Sequence, residues 1–361
     1  RNTLHEGEWT RHPAVEILPS HVVEFTISIK QRQLEMLYDT ALAVSTPGNP
    51  EYGKYLTPAQ ISALTAPASS DVSLVTGWLN EHGVAFTKDK EMLKVRTSVD
   101  SAARLLQTEF HAYRRASDGR FIVRAGDYEI PSELPISAIF GLHGAPLPVR
   151  DPLMTKGGGG PNPQPGQPAK VTPSVLAQVY HAQNPYVSRG GKGKQAVAEF
   201  QGQFMSKADL TDFFKAEVPS MQTGDDQVEK FVGVPYQEGH GVEALLDIEF
   251  IMGVAPGVAT EFWEWPNNDF CGDLHNYTQT LLQPDGPLVN SISYGWQGDL
   301  AQVGCHPADQ QAVDLNWAKL AAAGLAPGEY ALPTLVHAVY GSEDEGDESS
   351  SGGEGGSESE G

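Results

Sequence analysis

The feature that most limits how this chain can fold is a stretch in its middle, 151–170 (DPLMTKGGGGPNPQPGQPAK), where Gly157–Gly160 is followed by four prolines before Val171. Consecutive glycines carry the highest backbone entropy and each proline removes an N–H donor, so neither helix nor sheet runs through it. It reads as an exposed linker, open to proteolysis. The chain of 361 residues is therefore expected to build two cores, one in 1–150 and one in 171–341. A second biased segment, Ser342–Gly361, is made of Ser, Gly, Glu and two Asp, and has no apolar residue to repay ordering, so it is expected to be a disordered acidic tail.

Charge separates the same segments. Residues 1–150 hold 15 basic and 17 acidic residues, 151–341 hold 9 and 21, and the tail adds 8 acids and no base. A net charge of -22 argues against nucleic acid, which needs clustered Lys and Arg. No apolar run is long enough to span a membrane. A nearly neutral half beside a strongly acidic one is what two complementary surfaces would look like. On that basis the first half, which also carries His5, His12, His21, His82, His111 and His143, is expected to dock near neutral pH and let go near pH 4 as carboxylates protonate.

Periodicity gives the elements. Val22–Ile29 reads as a strand, followed by a helix whose face carries Leu34, Leu37, Tyr38, Ala41 and Leu42. Ser70–His82 repeats the helical period and stops at Gly83; Val84–Phe86 and Leu93–Thr97 read as strands, Ser101–Gln107 as a helix and Phe121–Val123 as a closing strand. This interleaving predicts a compact α+β sandwich of the ferredoxin-like, split βαβ type. Beyond the linker, Gln195–Phe200 and Leu288–Ser293 read as buried strands, and Ala208–Phe214, Gly241–Met252 and Asp309–Ala323 as helices. Alternation of this kind predicts a parallel α/β sheet covered on both faces. Cut short after its early strands, that sheet is expected to expose an edge and an apolar face, leaving 171–341 the less well-folded part.

The first residue is Arg1 rather than Met, so the sequence reads as beginning after a removed segment. Cys271 and Cys305 suffice for one disulfide but not for a zinc site, since no further Cys or His lies at ligand spacing. Asn276-Tyr277-Thr278 is a glycosylation sequon. Together these lean towards a secretory route. The glycine-rich RGGKGK at 189–194 is no phosphate loop, because Gln195 opens a strand rather than a helix. His240, His275 and His306 lack the i, i+4 spacing that pairs metal ligands, and no G-x-S-x-G elbow occurs.

The sharpest local feature is Glu243-Ala-Leu-Leu-Asp247, which puts two carboxylates one turn apart on one helix face. Like charges so placed raise the proton affinity of at least one, and a coupled pair can serve as a base at acid pH. Leu245, Leu246, Ile248, Phe250, Ile251 and Met252 crowd the same helix, which is therefore expected to be buried nearly all round.

These residues resemble the sedolisins, the serine-carboxyl peptidases that include the tripeptidyl peptidases. Asn49-Pro-Glu-Tyr-Gly-Lys-Tyr-Leu-Thr57 is similar to the signature of the family's prodomain, and Thr108-Glu-Phe-His-Ala-Tyr113 to a later segment of it. Val171–Tyr180 resembles the start of the catalytic domain and Gln195–Leu210 its first buried strand. Glu243 and Asp247 fall on the family's E-x-x-x-D pair, and Ser293-Tyr294-Gly295 resembles the stretch lining its substrate cleft. The resemblance covers roughly residues 10 to 325. It implies a prodomain followed by part of a subtilisin-like domain, in an acidic compartment that is secreted, lysosomal or vacuolar. It also implies that Glu243 takes the proton of a serine nucleophile while Asp247 orients it, a base suited to acid where imidazole is already protonated.

The sequence then departs from the pattern. After Ala321-Ala-Ala-Gly-Leu325 the family would enter G-D-S-G, with its oxyanion Asp, and later S-G-T-S, with the nucleophile, followed by a calcium loop. Here APGEYALPTLVHAVYG leads into the tail, and neither segment occurs. A chain of this sequence is expected to lack the nucleophile, the oxyanion Asp and the calcium site, to hold no cofactor, and to be inactive as it stands. The switch reads as a truncated or mis-spliced reading frame, with an evolved inactive product as the alternative. The partners expected are peptide substrates or intact family peptidases, with no nucleic acid, no membrane span and a monomeric state.

Overall fold

The computed structural model describes residues 9–146, 170–181, 193–266, 269–283, 285–294, 300 and 305–325. The linker, apart from Lys170, and the acidic tail lie outside these residues, as do His5 and Gly295.

The first half contains strands β1 (Trp9–Arg11) and β2 (Val22–Ile29), helices α1 (Leu34–Ser45), α2 (Pro58–Thr65) and α3 (Ser69–Glu81), strands β3 (Phe86–Asp89) and β4 (Met92–Ser98), helix α4 (Val99–Leu106), and strands β5 (Phe110–Arg115), β6 (Phe121–Ala125) and β7 (Ile136–Phe140). Its main sheet runs β3-β4-β2-β7 with every neighbouring pair antiparallel. In β2 the period of two turns Val23, Phe25 and Ile27 inwards and Val22 and Glu24 outwards, until an irregularity at Ser28/Ile29 brings both of those residues inside. Helices α3 and α4 close that face, with Val75, Trp78 and Leu79 from one and Ala102, Leu105 and Leu106 from the other.

Helix α3 ends where Gly83 turns at φ +67°, as the sequence predicts. Two readings of this half need correction. The closing strand is β7, whereas the expected Phe121–Val123 lies in β6, part of a separate antiparallel sheet β1-β5-β6. And α1 buries Leu37, Ala41 and Val44, leaving Tyr38 and Leu42 exposed. This buried seam at i, i+4, i+7 is narrower than the stripe read from the sequence.

The second half contains α5 (Pro173–Val179), β8 (Lys194–Glu199), α6 (Lys207–Glu217), β9 (Lys230–Gly233), α7 (Val242–Val254), β10 (Ala259–Glu264), α8 (Phe270–Leu281), β11 (Val289–Ile292) and α9 (Pro307–Ala322). The sheet order is β11-β8-β10-β9, all parallel. Alternate residues of one strand serve two cores. Ala196 and Ala198 of β8 pack with Trp263 on α8 and α9, and Val197 packs with Phe262 on α6 and α7. Both faces therefore carry helices, and the bare apolar face expected from the sequence is not found among the described residues. β11 is not the buried strand predicted, because it lies at the sheet edge and Leu288 and Val289 are exposed. Cys271 at the start of α8 and Cys305 just before α9 form a disulfide.

The two halves meet through α1, α2 and β7 on one side and α8 and α9 on the other. Leu37, Ala41 and Ile61 pack on Leu315, Ala318, Ala321 and Ala322, and the Leu56 amide donates to the Ala322 carbonyl at 2.8 Å. Gly324 has to be glycine here: its φ is +73°, and a Cβ would stand 2.6 Å from the Tyr55 ring. The expected charge pattern holds for His143, which pairs with Asp309 at 2.9 Å, and for Arg124, which lies in the field of Asp269 and Asp273. It is reversed at the deepest pair, where Glu91 of the first half accepts from Lys319 of the second at 2.6 Å.

Candidate active site

A parallel sheet gathers its chemistry at the carboxyl ends of its strands, where loops diverge and helix N-termini face inwards. The acids of this chain collect there. Glu243 and Asp247 occupy the first two turns of α7, and both are partly buried. The helix is less enclosed than the sequence predicts: Ala244, Ile248 and Met252 face the core, while Val242, Leu246 and Val254 are exposed. One side packs on α6 and the sheet, while on the other Pro173 of α5 covers only the turn at Gly253, so hydrophobicity all round reflects two different surroundings.

Burial raises the proton affinity of Asp247, the Ser293 hydroxyl beside it works the other way, and the Glu243 charge raises it further. Its Oδ2 is buried without a hydrogen-bond partner among the described residues. Ser293 and Tyr294, which follow β11, are thus brought to the E-x-x-x-D pair, while Gly295 falls outside the described residues.

Two further carboxylates belong to this cluster and were not found in the sequence. Glu199 ends β8 and is 0% exposed. The Tyr294 hydroxyl lies 3.0 Å from Glu199 Oε2 and 3.0 Å from the Phe200 carbonyl oxygen. Burial pushes Glu199 well above the usual carboxylate range, the Asp247 charge adds to this, the Tyr294 hydrogen bond opposes it, and the charges of Glu264 and Glu243 add again. Glu264 ends the adjacent strand β10, and burial pushes it up to about 9 against a hydrogen bond from the Gly202 backbone. The signal available in the sequence was a Glu closing an apolar β run, in QAVAEF and again in ATEFWEW. A cluster of this kind holds protons that isolated acids would release, and can pass one between neighbours.

The histidines stand apart from it. His240 is exposed and paired with Asp209 at 2.8 Å, His275 is buried and held down to about 3 by that burial, and the His306 ring lies 4.2 Å from that of His143. Among the described residues no group of three or more His, Cys, Asp or Glu is placed to hold a metal ion, and no helix is long and apolar enough to cross a membrane.

Comparison with known proteins gives the architecture a family. Residues 9–144 match the Pro-kumamolisin activation domain. Tripeptidyl-peptidase 1 of Mus musculus is 30% identical over 324 residues, 85% of this chain and 55% of the relative. The Homo sapiens protein of the same name is 28% identical over 323 residues, with the same coverage of both chains. The chain thus spans about half the length of the curated relatives it matches. Residues 9–144 thus carry an activation domain of the sedolisin type, and tripeptidyl peptidases of that family align across both halves of the chain.

Proposed function

We propose that this chain comprises the prodomain and the opening part of the catalytic domain of a serine-carboxyl peptidase of the tripeptidyl-peptidase type, working on peptides in an acidic secretory, lysosomal or vacuolar compartment. In this reading residues 1–150 are the prodomain with a ferredoxin-like sheet, 151–170 the linker and 171–341 part of a subtilisin-like domain. Glu243 is the base for a serine nucleophile and Asp247 orients it. Ser293, Tyr294 and Gly295 line the peptide cleft. The observation that carries this is the buried carboxylate cluster, since Asp247 and Glu199 with raised proton affinity suit proton transfer in acid. The serine, the oxyanion Asp and the calcium loop would be supplied by a longer product of the same gene, because neither S-G-T-S nor G-D-S-G occurs in these 361 residues.

The test is sequencing of the full transcript, followed by assay of both products on peptides between about pH 3 and 7, where carboxylates titrate. The longer product should turn over and its Glu243→Gln variant should lose activity by at least about 100-fold, the low end for a general base. The 361-residue chain should show no turnover. Glu243-dependent hydrolysis by that chain would overturn the account.

A second reading, in which the chain caps intact family peptidases as inhibitor or folding chaperone, draws on the apolar seam between α1 and α9. It predicts that isolated 1–150 binds such a peptidase.

A further inference from the structure

The 361 residues contain one N-x-S/T sequon, Asn276-Tyr277-Thr278, and α8 separates its three members. The Asn276 side chain is exposed, and its carboxamide makes no hydrogen bond among the described residues. Tyr277 is fully buried among Phe200, Trp263, Trp265 and Trp317. Thr278 is equally buried: its hydroxyl lies 3.0 Å from the Leu274 carbonyl and accepts from Asn316 Nδ2 at 3.0 Å.

Asn276 also borders a cavity of about 840 Å³ between the two halves. One wall is the first-half sheet, presenting Thr26, Thr87, Lys94 and Arg96, and the other is α8 with Asp273 and Thr280. A space of that size takes a ligand of several rings. Its walls combine hydroxyl and carboxylate groups and the ion-paired Lys94 and Arg96 with the rings of Phe86, Phe140 and Trp265, a mixed surface that suits the hydroxyls and the C–H faces of a sugar. The disulfide anchors the same helix five residues earlier, at Cys271, and bridges of this kind form in the oxidising compartments through which secreted proteins pass.

We propose that Asn276 is N-glycosylated and that the first sugars of the glycan occupy this cavity, between the prodomain sheet and α8. The donor is an oligosaccharide linked through a diphosphate to a membrane lipid. The Asn276 amide nitrogen attacks the anomeric carbon, a C–N bond replaces the C–O bond to the diphosphate, the nitrogen loses one proton and the lipid diphosphate departs. Because Thr278 is sealed in the folded protein, transfer precedes folding of α8, and the sugar is then enclosed as the two halves dock. The inference rests on the fold and the secretory route and is independent of whether the longer product is a peptidase.

The test is expression of the full chain in a eukaryotic secretory host and intact-mass measurement before and after denaturation with peptide-N-glycosidase. The expected result is loss of one oligosaccharide with conversion of Asn276 to Asp, absent in Asn276→Gln and retained in Thr278→Ser, which keeps the sequon. Wild-type protein with no mass change would overturn the proposal. Hydrogen exchange then tests the location. Amides of 86–98 should exchange at least about threefold more slowly in the glycosylated chain than in Asn276→Gln, and equal rates would overturn the placement in the cavity.

Discussion

A buried ion pair is weak evidence of net stability but strong evidence of what happens when one partner is lost. Glu91 and Lys319, 7% and 3% exposed, come from different halves of the chain. Burial alone would raise the Glu91 carboxyl, but the Lys319 charge and hydrogen bonds from Lys319 and Gln279 outweigh it and hold the group at about 2. Lys319→Met should therefore cost about 3–5 kcal/mol by stranding the carboxylate, and Glu91→Leu combined with it should recover most of that. Urea unfolding of the three variants measures both steps, and an additive double variant would refute the coupling. The pair was invisible to a reading of net charge, which placed the bases in the first half and the acids in the second. Sequence order shows which residues carry charge, whereas burial decides which of them must meet. The same limit explains the site: Glu243 and Asp247 were legible because helical spacing is local, while Glu199 and Glu264 became neighbours only once two strands paired.

The disulfide works at the scale of elements, tying the first turn of α8 to the residue two positions before α9, across a sequence separation of 34. Both helices pack on one face of the parallel sheet and both contact the first half. Closing a loop of that length stabilises by roughly 3–4 kcal/mol in the chain-entropy account. Cys271→Ser with Cys305→Ser should lower the unfolding free energy by about that amount, read from urea melts, and a change below about 1 kcal/mol would show that packing alone holds α8 and α9 together. β2 and α3 could be read from their local periodicity within a few residues, and β8 as an unbroken apolar run closed by Glu199. Others could not. β10 was hidden because Glu261 interrupts the apolar run in ATEFWE, and α2 because PAQISALT is short and relies on the Thr57–Gln60 capping box rather than an apolar stripe.

For the whole molecule, buried acids decide how stability follows pH. Burial raises Glu264 to about 9, Glu249 to about 7, and Asp269 and Asp314 to about 6. Below these values the native state keeps protons that the unfolded chain has released, so each contributes stability that is present in acid and lost as pH rises through its folded value. His275 acts in the opposite sense: burial lowers it to about 3, so between about 6.5 and 3 the unfolded chain takes up a proton that the native state refuses. Near pH 5 these four carboxyls, together with Glu199 and Asp247, favour the native state, and the imidazoles of His275 and His111 oppose it. Below about pH 4 the unfolded carboxylates protonate too and that gain stops growing, while His275 continues to oppose. Glu91 then adds to the loss, since its stabilisation is present above its unfolded value and disappears as pH falls through about 2. The melting temperature should therefore rise as pH is lowered from 8 to about 5 and fall again below about 4. Glu91 stays ionised above about pH 2, so acidification to pH 4 leaves the carboxylate of the deepest contact between the halves unchanged. Calorimetry at constant ionic strength across pH 3 to 8 measures the curve, and a maximum at or above pH 7 would mean that the buried carboxyls are not protonated in the native state.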